Sequence, residues 1–434
     1  MKIQADINHI VITGGGTAGW ITAGLIAVRH LGKGSSLSVT LVESPTIKTI
    51  GVGEGTWPSM RQTLSTLGIS EKAFLSCCDA SFKQGSQFVN WAPNNGHEYY
   101  HPFSLPATKQ HIHLSQHWLN VHASHHANGS GPLAQFADAV DFQSGICRHQ
   151  KAPKTLACGD FHFKANYGYH LDAAKFIALL SQHCIEHLNV NHVIANVEQV
   201  SLTVKGDIDA LVCAPLRHTN AKQHRISGDL FIDCTGKDAL LIGKTLQIPW
   251  KNAQQTLFND TALATQVPYC TPSHPITSCT LATAQTAGWI WDIGLQSRRG
   301  VGHVYSSSHT TEQQAENTLR AYASQTLGEK AADALSVKKI HFSSGYREQA
   351  WCNNCIAVGM SSGFIEPLEA SALVMIELAA NAISDALPRY HHELPLLAKR
   401  YNKKFTARWQ QIIEFLKLHY VASQRTDSDY WRDN

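Results

Sequence analysis

Several things are scarce in this chain, and each scarcity removes a class of answers. No stretch approaches eighteen uninterrupted apolar residues, so no membrane span is expected. The first apolar segment runs straight into glycines and carries no basic-then-apolar signal, which points to a cytoplasmic protein. Charge is also thin: Asp, Glu, Lys and Arg make up 16% of 434 residues, the net charge is +3, and no long basic run supports a nucleic-acid partner. Repeats and low-complexity tracts are missing. The 11 cysteines are an odd, scattered set that fits reduced thiols better than a disulfide framework. Their one CxxC, Cys352-x-x-Cys355, has no second pair to close a zinc site and opens an apolar run, so a buried core cysteine is expected. The 25 histidines raise a metal again at His113, His117, His122, His125 and His126, but no carboxylate or cysteine joins them at ligand spacing. No metal is expected.

What is present begins almost at the N-terminus. His9-Ile10-Val11-Ile12-Thr13 reads as a strand, runs into Gly14-x-Gly16-x-x-Gly19, and is followed by a helical pattern from Thr17 and Ala18 onward. Gly14 suits a tight turn, Gly16 admits a pyrophosphate to the backbone, and Gly19 allows close packing of helix on strand. A second strand, Ser38 to Val42, ends in Glu43, about twenty residues on, where an acid binds a ribose hydroxyl. The stretch predicts a dinucleotide site and leaves FAD and NAD both open. Further strands near Val193, Val200 and Gly228–Gly236 lie far along the chain, so the expected α/β core is discontinuous.

Other stretches carry residues of chemical interest. Gly51-Val52-Gly53-Glu54 is a glycine-rich loop able to approach a planar ligand, or a plain connector. Lys83 sits in an apolar context, Phe82 to Trp91, either where a strand passes a cavity or as a snorkelling surface residue. Tyr99 to Phe103 is an aromatic cluster with Pro102 inside it, and from Thr108 to Ala139 a polar, histidine-rich insertion is expected. Trp289 and Trp291 alternate with Ile290, so both indoles face one side of a strand. Glu366 and Glu369 lie in a turn before a strongly apolar helix that reaches Ile383, and a tail helix is expected from Trp409.

Taken together and in order, these stretches resemble the flavin-dependent tryptophan halogenase family from residue 8 to residue 431. The carriers are Gly14–Trp20, Gly51–Glu54, Phe82-Lys83-x-Gly85, His101-Pro102-Phe103, Trp289-Ile290-Trp291-Asp292-Ile293, and Phe364-Ile365-Glu366-Pro367-Leu368-Glu369. The resemblance implies an α/β, Rossmann-like FAD-binding fold of flavin-monooxygenase type with an added, largely helical substrate-binding region. The FAD core would occupy about 1–92, 160–250 and 280–385 of a single unit, with substrate-side segments at about 93–159 and 386–434. It implies FAD, used as FADH2, at Gly14, Gly16, Thr17, Ala18, Gly19, Glu43, Gly51, Val52, Gly53, Glu54, Gly359 and Ile365. Halide, chloride or bromide, would meet Ser371 and Ala372. An indole-type aromatic would be held by His101, Pro102 and Phe103. Lys83 would receive hypohalous acid, Glu369 would serve the ring intermediate, and Trp289 and Trp291 would fill space beside the flavin. Only one dinucleotide fingerprint is present, which implies a separate NAD(P)H-dependent flavin reductase; the oligomeric state stays open, a homodimer included.

The chain departs from the family pattern at three places. Gly294 replaces a proline after the tryptophan motif, which removes a fixed φ and is expected to loosen the turn. Glu369-Ala370-Ser371-Ala372 replaces Glu-Ser-Thr-Gly, losing one hydroxyl and placing a methyl group by the halide. Members commonly continue beyond the segment that His419–Trp431 resembles, so part of an aromatic substrate wall is expected to fall outside these residues. Two alternatives remain at this level: an FAD-dependent aromatic hydroxylase, and a flavin-binding member without halogenase turnover. A hydroxylase needs neither Lys83 nor Glu369.

Overall fold

His9–Thr13 lies inside a six-stranded sheet ordered Trp351–Cys352, Cys355–Ala357, Leu230–Asp233, His9–Thr13, Ser38–Glu43, Asn191–Ile194. All neighbouring pairs are parallel except the first. This computed structural model describes residues 6–32, 34–47, 53–106, 114–127, 134–214 and 224–434. The sheet is therefore assembled from separated stretches of chain, as parallel strands joined by crossovers require. Ile10 and Ile12 point into the large core on one face, and Val11 into a smaller core on the other, following the two-residue alternation of a strand.

The helix Thr17–His30 covers the first face and packs against Ser371–Asp385 and Ala173–His187. Trp20, Ile21, Leu25 and Ile26 on it are fully buried, and each aliphatic side chain contributes roughly 1.5–3 kcal/mol by leaving water. The opposite face is covered by the three-stranded sheet Val197–Leu202, Ile208–Cys213, His224–Ser227 and the short helical segment Leu240–Thr245.

A second, seven-stranded sheet carries the aromatic motifs. Its order is Lys338–His341, Thr261–Pro268, Arg298–Tyr305, Gly288–Gly294, Thr280–Gln285, Gly85–Val89, Glu98–Pro102. Trp289 and Trp291 do share one face, in the main core, while Ile290 enters a separate core under the helix Glu312–Leu327. Gly294 differs from the loosened turn expected. It is the buried last residue of its strand, pairs with Arg299, and accepts a hydrogen bond from the Ser81 hydroxyl. The sheet and Ser81 hold this backbone in the proline's stead.

The small antiparallel sheet Glu54–Gly55, Gly168–Leu171, Ser81–Lys83 links the two larger ones. The polar insertion contains the helices Leu114–Ala127 and Phe136–Val140. The tail helix is longer than its apolar pattern from Trp409 indicates: it spans Leu394–Val421, with a proline in its first turn and Tyr401, Phe405, Trp409, Ile413, Leu416 and Tyr420 buried along one stripe. Among the described residues, no helix is long and apolar enough to cross a membrane.

The opening glycines have different physical duties. Gly14 has φ +112°, and a Cβ there would stand 2.2 Å from the Cys234 carbonyl oxygen; one on Gly19 would stand 2.0 Å from the Gly14 carbonyl oxygen. Nothing lies within 4 Å of a Cβ built on Gly16. We therefore expect Gly14→Ala to lower the stability of the flavin-free protein by at least about 1–3 kcal/mol through backbone strain, with the clash against the Cys234 carbonyl adding to it. Gly16→Ala should shift it by less than about 0.5 kcal/mol and act instead on dinucleotide affinity. Thermal melts and a flavin-binding titration of the two variants check this separation.

Candidate active site

The site is built where the small sheet meets the end of the seven-stranded one. Lys83 ends the strand Ser81–Lys83, opposite Gly168, and is completely buried. Its Nζ has no hydrogen-bond partner among the described residues and lies 5.4 Å from the centre of the Phe103 ring. Burial pushes the ammonium down to about 8, against the opposing pull of Glu369. An amine in this state is accessible in its neutral form near physiological pH. His170, buried behind it on the neighbouring strand, is held well below its ordinary value by burial and by the Lys83 charge.

Two residues past Lys83, Gly85 takes φ +146°. A Cβ there would stand 2.3 Å from the His101 carbonyl oxygen, so this glycine lets the Glu98–Pro102 strand close on its partner. The resulting register sets Ser86 opposite His101 and Gly85 opposite Pro102. Ser86 and His101 thereby share a face, and both reach Glu369. His101 Nδ1 donates to Oε1 at 2.6 Å and Ser86 Oγ to Oε2 at 3.1 Å. Phe103 follows, its N–H bonded to the Gln84 carbonyl at 3.0 Å.

Glu369 occupies an unusual backbone. Both Glu369 and Ala370 have positive φ, +62° and +54°, immediately before the helix Ser371–Asp385. Two such non-glycine residues cost about 1–3 kcal/mol each unless their surroundings hold them. Here the Trp57 indole N–H donates to the Glu369 carbonyl at 2.7 Å, and the Ala370 N–H donates to the Pro367 carbonyl at 2.9 Å. The carboxylate is driven well below the usual range; burial raises it, and the hydrogen bonds from His101 and His419 with the Lys83 charge outweigh that. Glu366, three residues earlier, has the opposite fate. It is completely buried against Asn259 and the Tyr420 hydroxyl, and burial pushes it up to about 7. One short motif thus holds an ionised acid and an acid that is half protonated near neutral pH.

The structure also brings in residues that sequence patterning missed. His419, near the end of the long tail helix, places Nε2 3.3 Å from Glu369 Oε1, and Phe415 one turn earlier flanks both imidazoles, 5.9 Å from the His101 ring and 5.0 Å from the His419 ring. Their spacing of four on an amphipathic helix was the available signal. Gly55 is another: a Cβ there would stand 3.3 Å from Lys83 Nζ and 3.2 Å from the Ala370 Cβ. Gly51 and Val52 lie outside the described residues, as does His113, while Gly53 has φ +81° and Glu54 is pushed up to about 7 by burial and the Asp172 charge.

On the other side of residues 369–370 is a cavity of about 40 Å³. Gly359, Ile365, Ser371 and Ala372 line it together with Met375 and Trp409. A Cβ on Gly359 would stand 2.9 Å from that of Ala18, so the cavity adjoins the start of the first helix. That helix opens on Gly16 with no side-chain cap and no acid in its first turn, and the Glu43 carboxylate folds across Gly15 with an oxygen 1.7 Å from where a Cβ would be. An open glycine, free helix N-terminus and acid on the second strand fit a dinucleotide whose phosphates lie over Gly16 and Thr17. Trp289 and Trp291 are not in this cavity's lining. Trp289 backs Trp91 at 6.3 Å between ring centres, and Trp91 in turn backs His419 at 6.4 Å.

The ion pair at the centre gives a measurable signature. His101 is raised by its hydrogen bond to Glu369, and Glu369 is depressed. The pair's stabilisation is therefore lost as pH rises through the folded His101 value, and again as pH falls through the folded Glu369 value. We expect an NMR titration of His101 to give an apparent pKa above 6.5, and Glu369→Gln to bring it down; no change in that variant would contradict the pairing.

Comparison with known proteins follows the same geometry from end to end. The family described as Tryptophan halogenase matches residues 9–434. The tryptophan 6-halogenase SttH of Streptomyces toxytricini is 35% identical over 98% of this chain and 80% of its own length. A tryptophan halogenase structure from Shewanella frigidimarina NCIMB 400 is 49% identical with a TM-score of 0.90, covering 98% of this chain and 80% of that one. Xcc4156, a flavin-dependent halogenase from Xanthomonas campestris, is 32% identical with a TM-score of 0.85, at 98% and 80% coverage.

Proposed function

The chain belongs to the tryptophan halogenase family and is a flavin-dependent halogenase; from that premise we propose that Lys83 and Glu369 transfer halogen to an indole-type ring held by His101, Pro102, Phe103 and Phe415. The observation that carries this is the completely buried Lys83 amine without a hydrogen-bond partner, beside a carboxylate fixed by Ser86 and two histidines. FAD, bound in reduced form along Gly14–Gly19, Glu43 and Gly359, supplies hypohalous acid from O2 and chloride or bromide. With one dinucleotide fingerprint in the chain, a separate NAD(P)H-dependent reductase delivers that reduced flavin. Halide sits at the start of the helix Ser371–Asp385, whose N-terminal end favours an anion and carries no acid in its first turn.

Lys83 then captures the oxidant. The neutral amine attacks the halogen of hypohalous acid and releases hydroxide, giving a protonated N-halo amine; the ring then takes the halogen, returning the neutral amine and leaving a positively charged ring, and the ring proton finally neutralises the hydroxide to water. Glu369 stabilises that charge and takes the ring proton. A carboxylate held so low is a weak base, but an arenium ion is acidic enough to give up its proton to it. The side chains of Phe103 and Phe415 supply flat apolar walls and His101 a polar edge. Gly55 keeps the space beside Nζ clear.

Activity should follow these roles. With a flavin reductase, FAD, NADH, halide and an indole panel, Lys83→Ala is expected to lose halogenated product while flavin oxidation continues at the wild-type rate. Glu369→Gln should lower product formation by about 10²-fold or more. Full product formation by Lys83→Ala would sink the assignment, and halide-independent oxygenation of the substrate would favour a hydroxylase.

The pH dependence has a definite sign. Because Lys83 is pushed down to about 8, the neutral amine gains population as pH rises, and the single-turnover rate of halogen transfer should climb to a plateau above that value. A rate that falls through the same range would mean that the ammonium is the working form.

A further inference from the structure

We propose that His101 Nδ1, Glu369 Oε1 and His419 Nε2 form a three-ligand seat for a divalent transition-metal ion of the zinc class, and that such an ion blocks the carboxylate. The three residues come from three separate elements and each offers a ligand atom within 4.8 Å of the others, Oε1 meeting His101 Nδ1 at 2.6 Å and His419 Nε2 at 3.3 Å. It is a cluster distinct from the histidine-rich insertion, and the seat stands on its geometry; only the blocking effect rests on the proposed role of Glu369.

The His419 ring supplies the second observation. Its Nδ1 lies 2.9 Å from the Phe415 carbonyl oxygen, which can only accept, so Nδ1 carries the hydrogen. Nε2 is thereby turned toward Glu369 Oε1 at 3.3 Å. One cation placed between these atoms would accept a lone pair from each of the three ligands at once. A backbone carbonyl fixing the far nitrogen is also the arrangement that orients metal-binding histidines. The ring is further held by Phe88 and Phe415, each 5.0 Å away between centres.

Distances suit the ion class. Bonds of about 2.0–2.1 Å in a tetrahedral shell set ligand atoms roughly 3.3 Å apart. The Glu369–His419 pair is already at 3.3 Å, while His101 at 2.6 Å must open slightly. Moving the His101 proton to Nε2, on a side chain that is 50% exposed, frees Nδ1 as a ligand. Two imidazoles and one carboxylate favour zinc, copper, nickel or cobalt over calcium or magnesium, and a fourth position is left for water. Bound there, the ion occupies the Glu369 lone pairs that would otherwise face the ring proton.

The test uses the flavin-free full chain and the metal alone. Co2+ is expected to give visible d–d bands that saturate at one equivalent and vanish on adding one equivalent of Zn2+. His419→Ala and His101→Ala should each weaken Co2+ binding at least about tenfold. Wild-type affinity and band intensity in both variants would put the metal on other histidines and overturn the proposal. Should His419→Ala fail to fold by circular dichroism, His101→Ala decides, because its ring is half exposed. The absence of d–d bands in the wild-type protein would also overturn it.

Discussion

The contact on which the site depends is the carboxylate of Glu369. It joins a strand pair, the start of an apolar helix and the end of the tail helix through Ser86, His101 and His419. Each donor is useful only if the carboxylate is ionised, and the carboxylate stays ionised in a dry site only because the donors are there. The left-handed backbone at Glu369 and Ala370 aims it, and Trp57 fastens that backbone from the glycine loop. Residues with no role in the chemistry, such as Gly85 and Trp57, therefore set the geometry of the acid.

The same turn separates two environments. On one side Lys83 is buried without a hydrogen-bond partner among the described residues, so its charge is expensive and its neutral form accessible. On the other, Ser371 and Ala372 line a small cavity whose Gly359 adjoins Ala18 at the start of the first helix. Gly55 lies against both: a Cβ there would stand 3.3 Å from Lys83 Nζ and 3.2 Å from the Ala370 Cβ, so a larger residue at this position would crowd the amine. Ala370 and Ala372 stand where the family has a hydroxyl and a glycine, the first beside Gly55 and the second in the cavity's lining.

Much of this was legible in the residue string. The parallel sheet, the first helix and the alternation of Trp289, Ile290 and Trp291 follow from periodicity within a few residues, which is why they were correctly expected. Lys83 and Glu369 stand out through the family pattern; patterning by itself leaves Lys83 as a surface lysine or a cavity lysine, and its complete burial rules out the surface position. Gly294 was misjudged because a strand partner and the Ser81 hydroxyl, neither adjacent in sequence, hold the backbone. The tail helix was expected to start too late, since its early turns are polar outside a narrow buried stripe.

The sequence by itself determined the dinucleotide fingerprint, the strand and helix types and the family, because those are written in short-range spacing. Only the tertiary structure decided which side chains meet. His101 and Glu369 are 268 residues apart and Glu369 and His419 are 50 apart. Their meeting depends on sheet register, the length of one helix and two left-handed residues, none of which is encoded in local periodicity. The opposite fates of Glu366 and Glu369 make the same point: identical side chains three residues apart differ because one is buried among neutral partners and the other beside cationic ones.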